Sequence, residues 1–463
     1  MCATVPSVKH TLTTVALAFA LALAPAPALA QQLSIPFTKS KLANGLTVIL
    51  HEDHTVPVAV VNVTFDVGSR FEAPKRTGFA HLFEHLMFMG TSRVPTKAFD
   101  GWMERAGGWN NAWTSEDRTD YYDVAPSTAL PLLLWLEADR MRDLGPLMTK
   151  EKLDAQRDVV RNERRERTEN TPYGIADVRI PELLYPESHP YHHPTIGSHA
   201  DLEAATVDDV KQFFATYYDP ANASLVVAGD FSASAIKSQI DRLFGTIPSK
   251  GKAKDPGAPG FDDTKTTLTS VVRETLEDRV ELAKVMMVWQ SPKRFAPGDA
   301  ELDLLANILG DGKTSRLYKA LVYEQKIAQA VEASQNQGTL GSQFVVSVVA
   351  RPGVSLEKLE AAIDAELAKA RTGGVREDEL SRAKNLVDAA FVTRLQSVRE
   401  RASLLNAYEA TAGDPGYIER DRARYQNATA KDLTMYGQKV LLPNARVVLR
   451  IVPKKEAPKG VAK

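Results

Sequence analysis

The stretch Thr77-Gly-Phe-Ala-His81-Leu-Phe-Glu84-His85-Leu-Met-Phe-Met-Gly90-Thr91 decides how the rest of the chain is read. Residues four apart on a helix lie one above the other, so His81 and His85 can aim both imidazoles at one point. Glu84 lies beside His85 and can reach a water at that point. Two nitrogen donors and an adjacent carboxylate suit a zinc-activated water, here in the inverted order His-x-x-Glu-His. By composition such a pattern arises by chance in a chain this long at a rate on the order of one percent. Phe79, Leu82, Phe83, Leu86 and Met87 would equally serve an ordinary amphipathic helix, so a third ligand must decide.

The 463 residues are 44% hydrophobic and 25% charged, which is globular composition. A net charge of −1 suggests no nucleic-acid partner. Lys9 and His10 precede a 13-residue apolar run, Thr11 to Leu23, and then Ala28-Leu29-Ala30. This reads as a signal peptide, residues 1–30, cleaved after Ala30. The run is too short to span a bilayer and no later segment reaches spanning length. The mature chain is therefore expected to be periplasmic or secreted, with no membrane anchor. Its only cysteine, Cys2, falls in the removed segment. Thiolate ligands and cysteine nucleophiles are excluded, leaving histidine and carboxylate to hold any metal.

Along the chain, strand and helix patterns alternate. Leu42 to Val67 reads as a hairpin around Asn44-Gly45, with β-rich runs at Leu46–Leu50 and Val58–Phe65. Strands are expected at Trp109–Thr114 and Thr119–Val124. Helices are expected at Lys97–Ala106, Leu130–Arg142, Lys150–Arg167, Val210–Tyr217 and Ala233–Leu243. A Gly/Pro-rich linker spans 249–266. The pattern then restarts: strands at Glu281–Val288, Val345–Ala350 and Arg446–Val452, and helices at Asp299–Leu309, Ser315–Tyr323, Leu356–Ala370 and Glu377–Ala410. Thr206-Val-Asp-Asp-Val210 before Pro220 matches Thr429-Ala-Lys-Asp-Leu433 before Pro443, with Asp209 and Asp432 each eleven residues ahead of the proline. This implies duplication: an α+β fold of two homologous halves, residues 31–248 and 267–463, facing a central chamber.

For the third ligand, the charged helix offers Glu163, with Glu166 and Glu169 as neighbours. Val159 and Val160 read as core-facing, and Glu163, four on from Val159, would share that face. A buried carboxylate needs a partner. This gives Glu163 only a modest lead, since charge-rich helices are usually solvated surface. The cluster His189-Pro-Tyr-His192-His193 lacks helical spacing and reads as a structural or substrate-lining loop. His51, His54 and His199 read as turn or surface residues.

The chain resembles the pitrilysin/insulinase family of inverted-zincin metallopeptidases, in its shorter, processing-peptidase-like branch. The resemblance rests on Asn44-Gly45-Leu46, Gly68-Ser69, Gly78 to Thr91, Asn111-Ala112-Trp113-Thr114, Val159-Val160-Arg-Asn-Glu163 and Gly229-Asp230. It implies two repeated α/β-sandwich halves, one zinc ion held by His81, His85 and Glu163, and Glu84 as general base. It implies peptide substrates paired with the strand Asn111-Ala112-Trp113-Thr114. Gln156 stands where relatives often carry an acidic residue supporting the ligands. Val322 and Gln329 stand where fully equipped members carry an Arg and a Tyr for the scissile carbonyl, and Arg316, Tyr318 and Tyr323 have the wrong spacing. The expectation is thus the zinc subunit of a heterodimer whose homologous partner supplies Arg and Tyr. The rival is a non-catalytic assembly subunit.

Overall fold

Asn44-Gly45 does turn the chain: Gly45 has φ +91°, and a Cβ there would meet Ala221 Cβ at 2.7 Å. The hairpin it closes joins β1 (Thr38–Lys41) to β2 (Thr47–Glu52), not β2 to β3 (Val58–Phe65). Between those two lies β6 (Ala223–Gly229), parallel to β2 and antiparallel to β3. The expected Leu42–Val67 hairpin is therefore corrected, because a strand more than 150 residues later separates its second and third strands. With β4 (Trp109–Thr114) and β5 (Thr119–Pro126), the first sheet runs β1-β2-β6-β3-β5-β4. The computed structural model describes residues 33–255 and 267–454, so the expected signal peptide and residues 256–266 of the linker lie outside it.

The second sheet repeats the first. It is built from β7 (Val271–Asp278), β8 (Lys284–Ser291), β9 (Ala328–Asn336), β10 (Ser342–Ala350) and β11 (Arg446–Pro453) in the order β7-β11-β8-β10-β9. Here β11 takes the place of β6, parallel to β7 and antiparallel to β8. Strands β7 and β9 were not expected, because neither carries a sustained β-rich run. The helices bearing on the site are α1 (Phe79–Leu86), α2 (Leu130–Asp143), α3 (Lys150–Arg164), α4 (Ile175–Leu184), α5 (Val207–Tyr217), α6 (Asp299–Gly310), α7 (Glu377–Arg394), α8 (Val398–Ala412) and α9 (Ala430–Val440). The long helix expected over Glu377–Ala410 is broken, with Ser397 capping α8 through Glu400 N. The helix expected over Ser315–Tyr323 is π-wound over Tyr318–Glu324.

The sequence repeat is two matching capping boxes. Thr206 and Asp209 close α5, and Thr429 and Asp432 close α9, each helix feeding the inserted central strand of its sheet. The α1 helix also has a twin. Gly78-Phe-Ala80-His81-Leu82 and Gly298-Asp-Ala300-Glu301-Leu302 both begin on a left-handed glycine, φ +88° and +101°. In α6 the positions of His81, Glu84 and His85 are Glu301, Leu304 and Leu305, so this helix lacks both imidazoles and the candidate base.

The halves exchange helices. The second half's α8 packs on β3 and β6 of the first sheet, while α4 of the first half packs on β8 and β11 of the second. Ile180, Leu184 and Tyr191 thereby share a core with Val288, Leu449 and Ile451. On the other side Asn406 of α8 donates to Asn62 O (2.9 Å) and Asn62 Oδ1 (2.8 Å) and accepts from Ser224 Oγ (2.6 Å). His51 belongs to this seam. It is buried, bonded through Nδ1 to Pro36 O and through Nε2 to Arg401, not a free turn residue. From Ile35 onward the chain accordingly forms one compact unit.

Candidate metal centre

Two buried glutamate oxygens start α1. Glu72 accepts from Gly78 N at 2.9 Å and Ala80 N at 2.7 Å, satisfying amides the helix leaves open. Phe79, Leu82, Phe83 and Leu86 then lock α1 into the first core. That leaves the face with His81, Glu84 and His85 turned toward α3 and the edge strand β4, both of which α1 contacts.

The three donors expected from the sequence meet there. His85 Nε2 lies 3.1 Å from Glu163 Oε2, His81 Nε2 3.7 Å from it, and the two Nε2 atoms 3.4 Å apart. Tetrahedral zinc with bonds of about 2.0–2.1 Å sets its ligands roughly 3.3 Å apart, so one ion fits this triangle. Among the described residues this is the one His/Cys/Asp/Glu group close enough to share a metal. Burial, with His85 alongside, pushes the His81 pKa down to about 4, which keeps its imidazole neutral and able to ligate. The hydrogen bond from His85, with the positive partners around it, lowers that of Glu163. Arg167 Nη1 holds the other oxygen of Glu163 at 2.9 Å. It belongs to a π-helical turn, Arg165–Glu169, that continues α3.

The reason Glu163 faces the site differs from the expected one. Val159 is 46% exposed and only Val160 is buried, so Glu163 follows the face of Leu153 and Val160. Gln156 points its amide at Met89 Sδ, 2.8 Å away, and not at a ligand. Glu84 is buried, which raises its pKa, and the Thr114 hydroxyl donates to its Oε2 at 2.6 Å, which pulls it back down. Thr114 therefore touches the candidate base, a contact the strand motif alone did not reveal. Asn111, Ala112 and Trp113 lie beside it on β4, whose outer edge is unpaired among the described residues. Val322 is buried in the π-wound segment, and Gln329 is exposed on β9, an edge strand of the second sheet. The histidine cluster is structural: His189 stacks on Tyr185, His192 Nδ1 bonds Tyr185 O, and His193 lies 3.5 Å from Glu72. No helix among the described residues is long and apolar enough to cross a membrane.

Known proteins share this plan. The Insulinase (Peptidase family M16) model matches residues 47–183, and the Peptidase M16 inactive domain model matches residues 204–387. The chain is 32% identical to the zinc protease PqqE of Helicobacter pylori over 79% of this chain and 82% of that one. It is 26% identical to the uncharacterized zinc protease YmxG of Bacillus subtilis over 78% and 85%. The crystal structure of a protease from Helicobacter pylori superposes with TM-score 0.84 at 28% identity, over 91% of this chain and all of that one. The periplasmic protease PqqL of Escherichia coli has the same fold, with TM-score 0.74 at 19% identity, and the chain spans 48% of its length.

Proposed function

The chain belongs to the insulinase family of M16 peptidases, and on that premise we propose an exported zinc-dependent endopeptidase in which His81, His85 and Glu163 hold one zinc ion and Glu84 is the general base. The observation that carries this is the triangle of donor atoms with the buried carboxylate of Glu84 beside it. Bound zinc would supply the Lewis acidity that makes water nucleophilic near neutral pH. Glu84 takes the proton from that water and returns it to the leaving amine. Thr114 fixes one Glu84 oxygen, leaving the other free for proton transfer. The open edge of β4 accepts an extended peptide by strand addition, with Asn111, Ala112, Trp113 and Thr114 beneath it.

The oxyanion-holding Arg and Tyr are assigned to a homologous partner subunit. This is supported by Val322 and Gln329 standing at their positions and by Arg316 being tied to Glu379 and Gly374 O. Export rests on the leader pattern before Ala30.

Metal analysis and a peptidase assay of Glu84→Gln test the reading. About one zinc per chain should be retained, and activity should fall on the order of 10² to 10⁴-fold. No bound zinc, together with unchanged activity in the variant, would favour the assembly-subunit alternative. Full peptidase activity from the isolated chain would sink the heterodimer.

A further inference from the structure

A cavity of 510 Å³ lies where the β4–β5 hairpin of the first half meets helices of the second. Arg118, in the hairpin turn, and Arg294, ahead of α6, line it together with Phe295, Phe391 and Leu404. Both arginine Nε atoms are buried without a hydrogen-bond partner. The Arg118 guanidinium makes no hydrogen bond or ion pair among the described residues; it lies over the Trp113 ring, 4.9 Å from its centroid. Arg294 donates only to a main-chain oxygen, Gln337 O, through its guanidinium. Arg118 lies in the fields of Asp120, Asp117 and Asp66 without pairing with any of them, and a half-buried cation without a direct partner is open to an anion.

Most nearby carboxylates are committed elsewhere, while Asp311, which also lines the cavity, is exposed. Asp117 accepts from Tyr191 OH and Thr339 N and pairs with Arg70. Asp120 accepts from Asn62 and Thr64. Across the cavity, Asp303 is held by Tyr425 OH, and Asp421 by Tyr408 OH and Arg424. What the cavity leaves open are therefore two arginines without ion pairs, although Asp303 and Asp311 also line it.

Its place relative to β4 gives it a use. Side chains alternate along a strand. Thr114 turns to Glu84 on one face, while the Trp113 ring turns to Arg118 on the other. A peptide added along β4 alternates in the same way, so one set of its side chains faces the metal centre and the other faces this cavity. We propose that Arg118 and Arg294 form a carboxylate-binding site that fixes an acidic group of the bound peptide. The apolar walls accommodate the carbon chain carrying it. This rests on the peptidase reading and adds a specificity to it.

The test is peptide binding by fluorescence anisotropy in the zinc-loaded full chain carrying Glu84→Gln, which prevents turnover. The probe is a labelled decapeptide with one central Glu and a free C-terminus, against versions with Gln or with a C-terminal amide. One of the two neutral versions should bind about tenfold more weakly, identifying a side-chain or terminal carboxylate as the group read. Arg118→Ala should erase that difference, and Arg118→Lys should restore part of it. Arg294→Gln should narrow it independently, which covers a failure of Arg118→Ala to fold. Equal affinity for all three peptides overturns the site even if wild type cleaves them all. Discrimination by a wild-type chain that retains no zinc would leave the site standing and remove the peptidase reading.

Discussion

Thr114 shows what one hydroxyl can do. Its bond to Glu84 is made by two residues thirty apart in sequence, and it holds one oxygen of a buried carboxylate. Thr114→Val should lower kcat about tenfold while leaving bound zinc unchanged, and Thr114→Ser should recover most of the loss. Steady-state kinetics beside metal analysis checks this, and a loss of zinc would assign the residue to folding instead. Glu163 teaches a complementary lesson. It was identified as the third donor from the resemblance, yet its geometric rationale failed because Val159 faces out at 46% exposure. In a helix this rich in charge, periodicity has too few apolar residues to fix its inward face.

Among elements, α1 and its twin α6 separate metal binding from helix placement. Each starts on a positive-φ glycine pressed against a neighbour. A Cβ on Gly78 would lie 2.8 Å from Ile196 O, and one on Gly298 would lie 2.6 Å from the Tyr436 ring. Gly78→Ala should therefore both destabilise the chain and weaken zinc retention in a chelator titration. Gly298→Ala should destabilise it while leaving zinc affinity unchanged, because α6 carries no ligand. The repeat at Thr206 and Thr429 was legible, but the helix starts it marks were not: the first helix was expected only from Val210, and none was expected over Ala430–Val440. Strands β7 and β9 were not legible. Strand β7 alternates half-buried and exposed residues, and among the described residues only its parallel neighbour β11 gives it a partner.

For the whole molecule, the exchange of α4 and α8 makes the halves interdependent. Asn406→Ala removes three buried hydrogen bonds at the seam, those to Asn62 O, Asn62 Oδ1 and from Ser224 Oγ. It should cost about 3 kcal/mol in a denaturant titration, with both halves still unfolding in one transition. Two separated transitions would show that the exchange does not couple them. Next to this seam Asp120 is buried, and its pKa is pushed up to about 6 by that burial. Its folded pKa lies above the unfolded value near 3.8, so the folded state holds the extra proton between these values. This group's contribution to stability is therefore present at low pH and lost as pH rises from about 4 through 6. Asp120→Asn should remove that component, so the change in melting temperature over this interval should differ between variant and wild type.

The amino-acid sequence by itself determined the donor types, the His-x-x-Glu-His spacing, the absence of thiol chemistry after Ala30 and the duplication. Each of these follows from residue identity or from rules acting over a few positions, such as the helical repeat and the capping box. Only the tertiary structure decided that β6 separates β2 from β3, that the halves trade helices, that Thr114 reaches Glu84, and that two arginines without ion pairs share a cavity. Those outcomes depend on segments up to several hundred residues apart packing against one another. No local period encodes which distant surface a given face will meet.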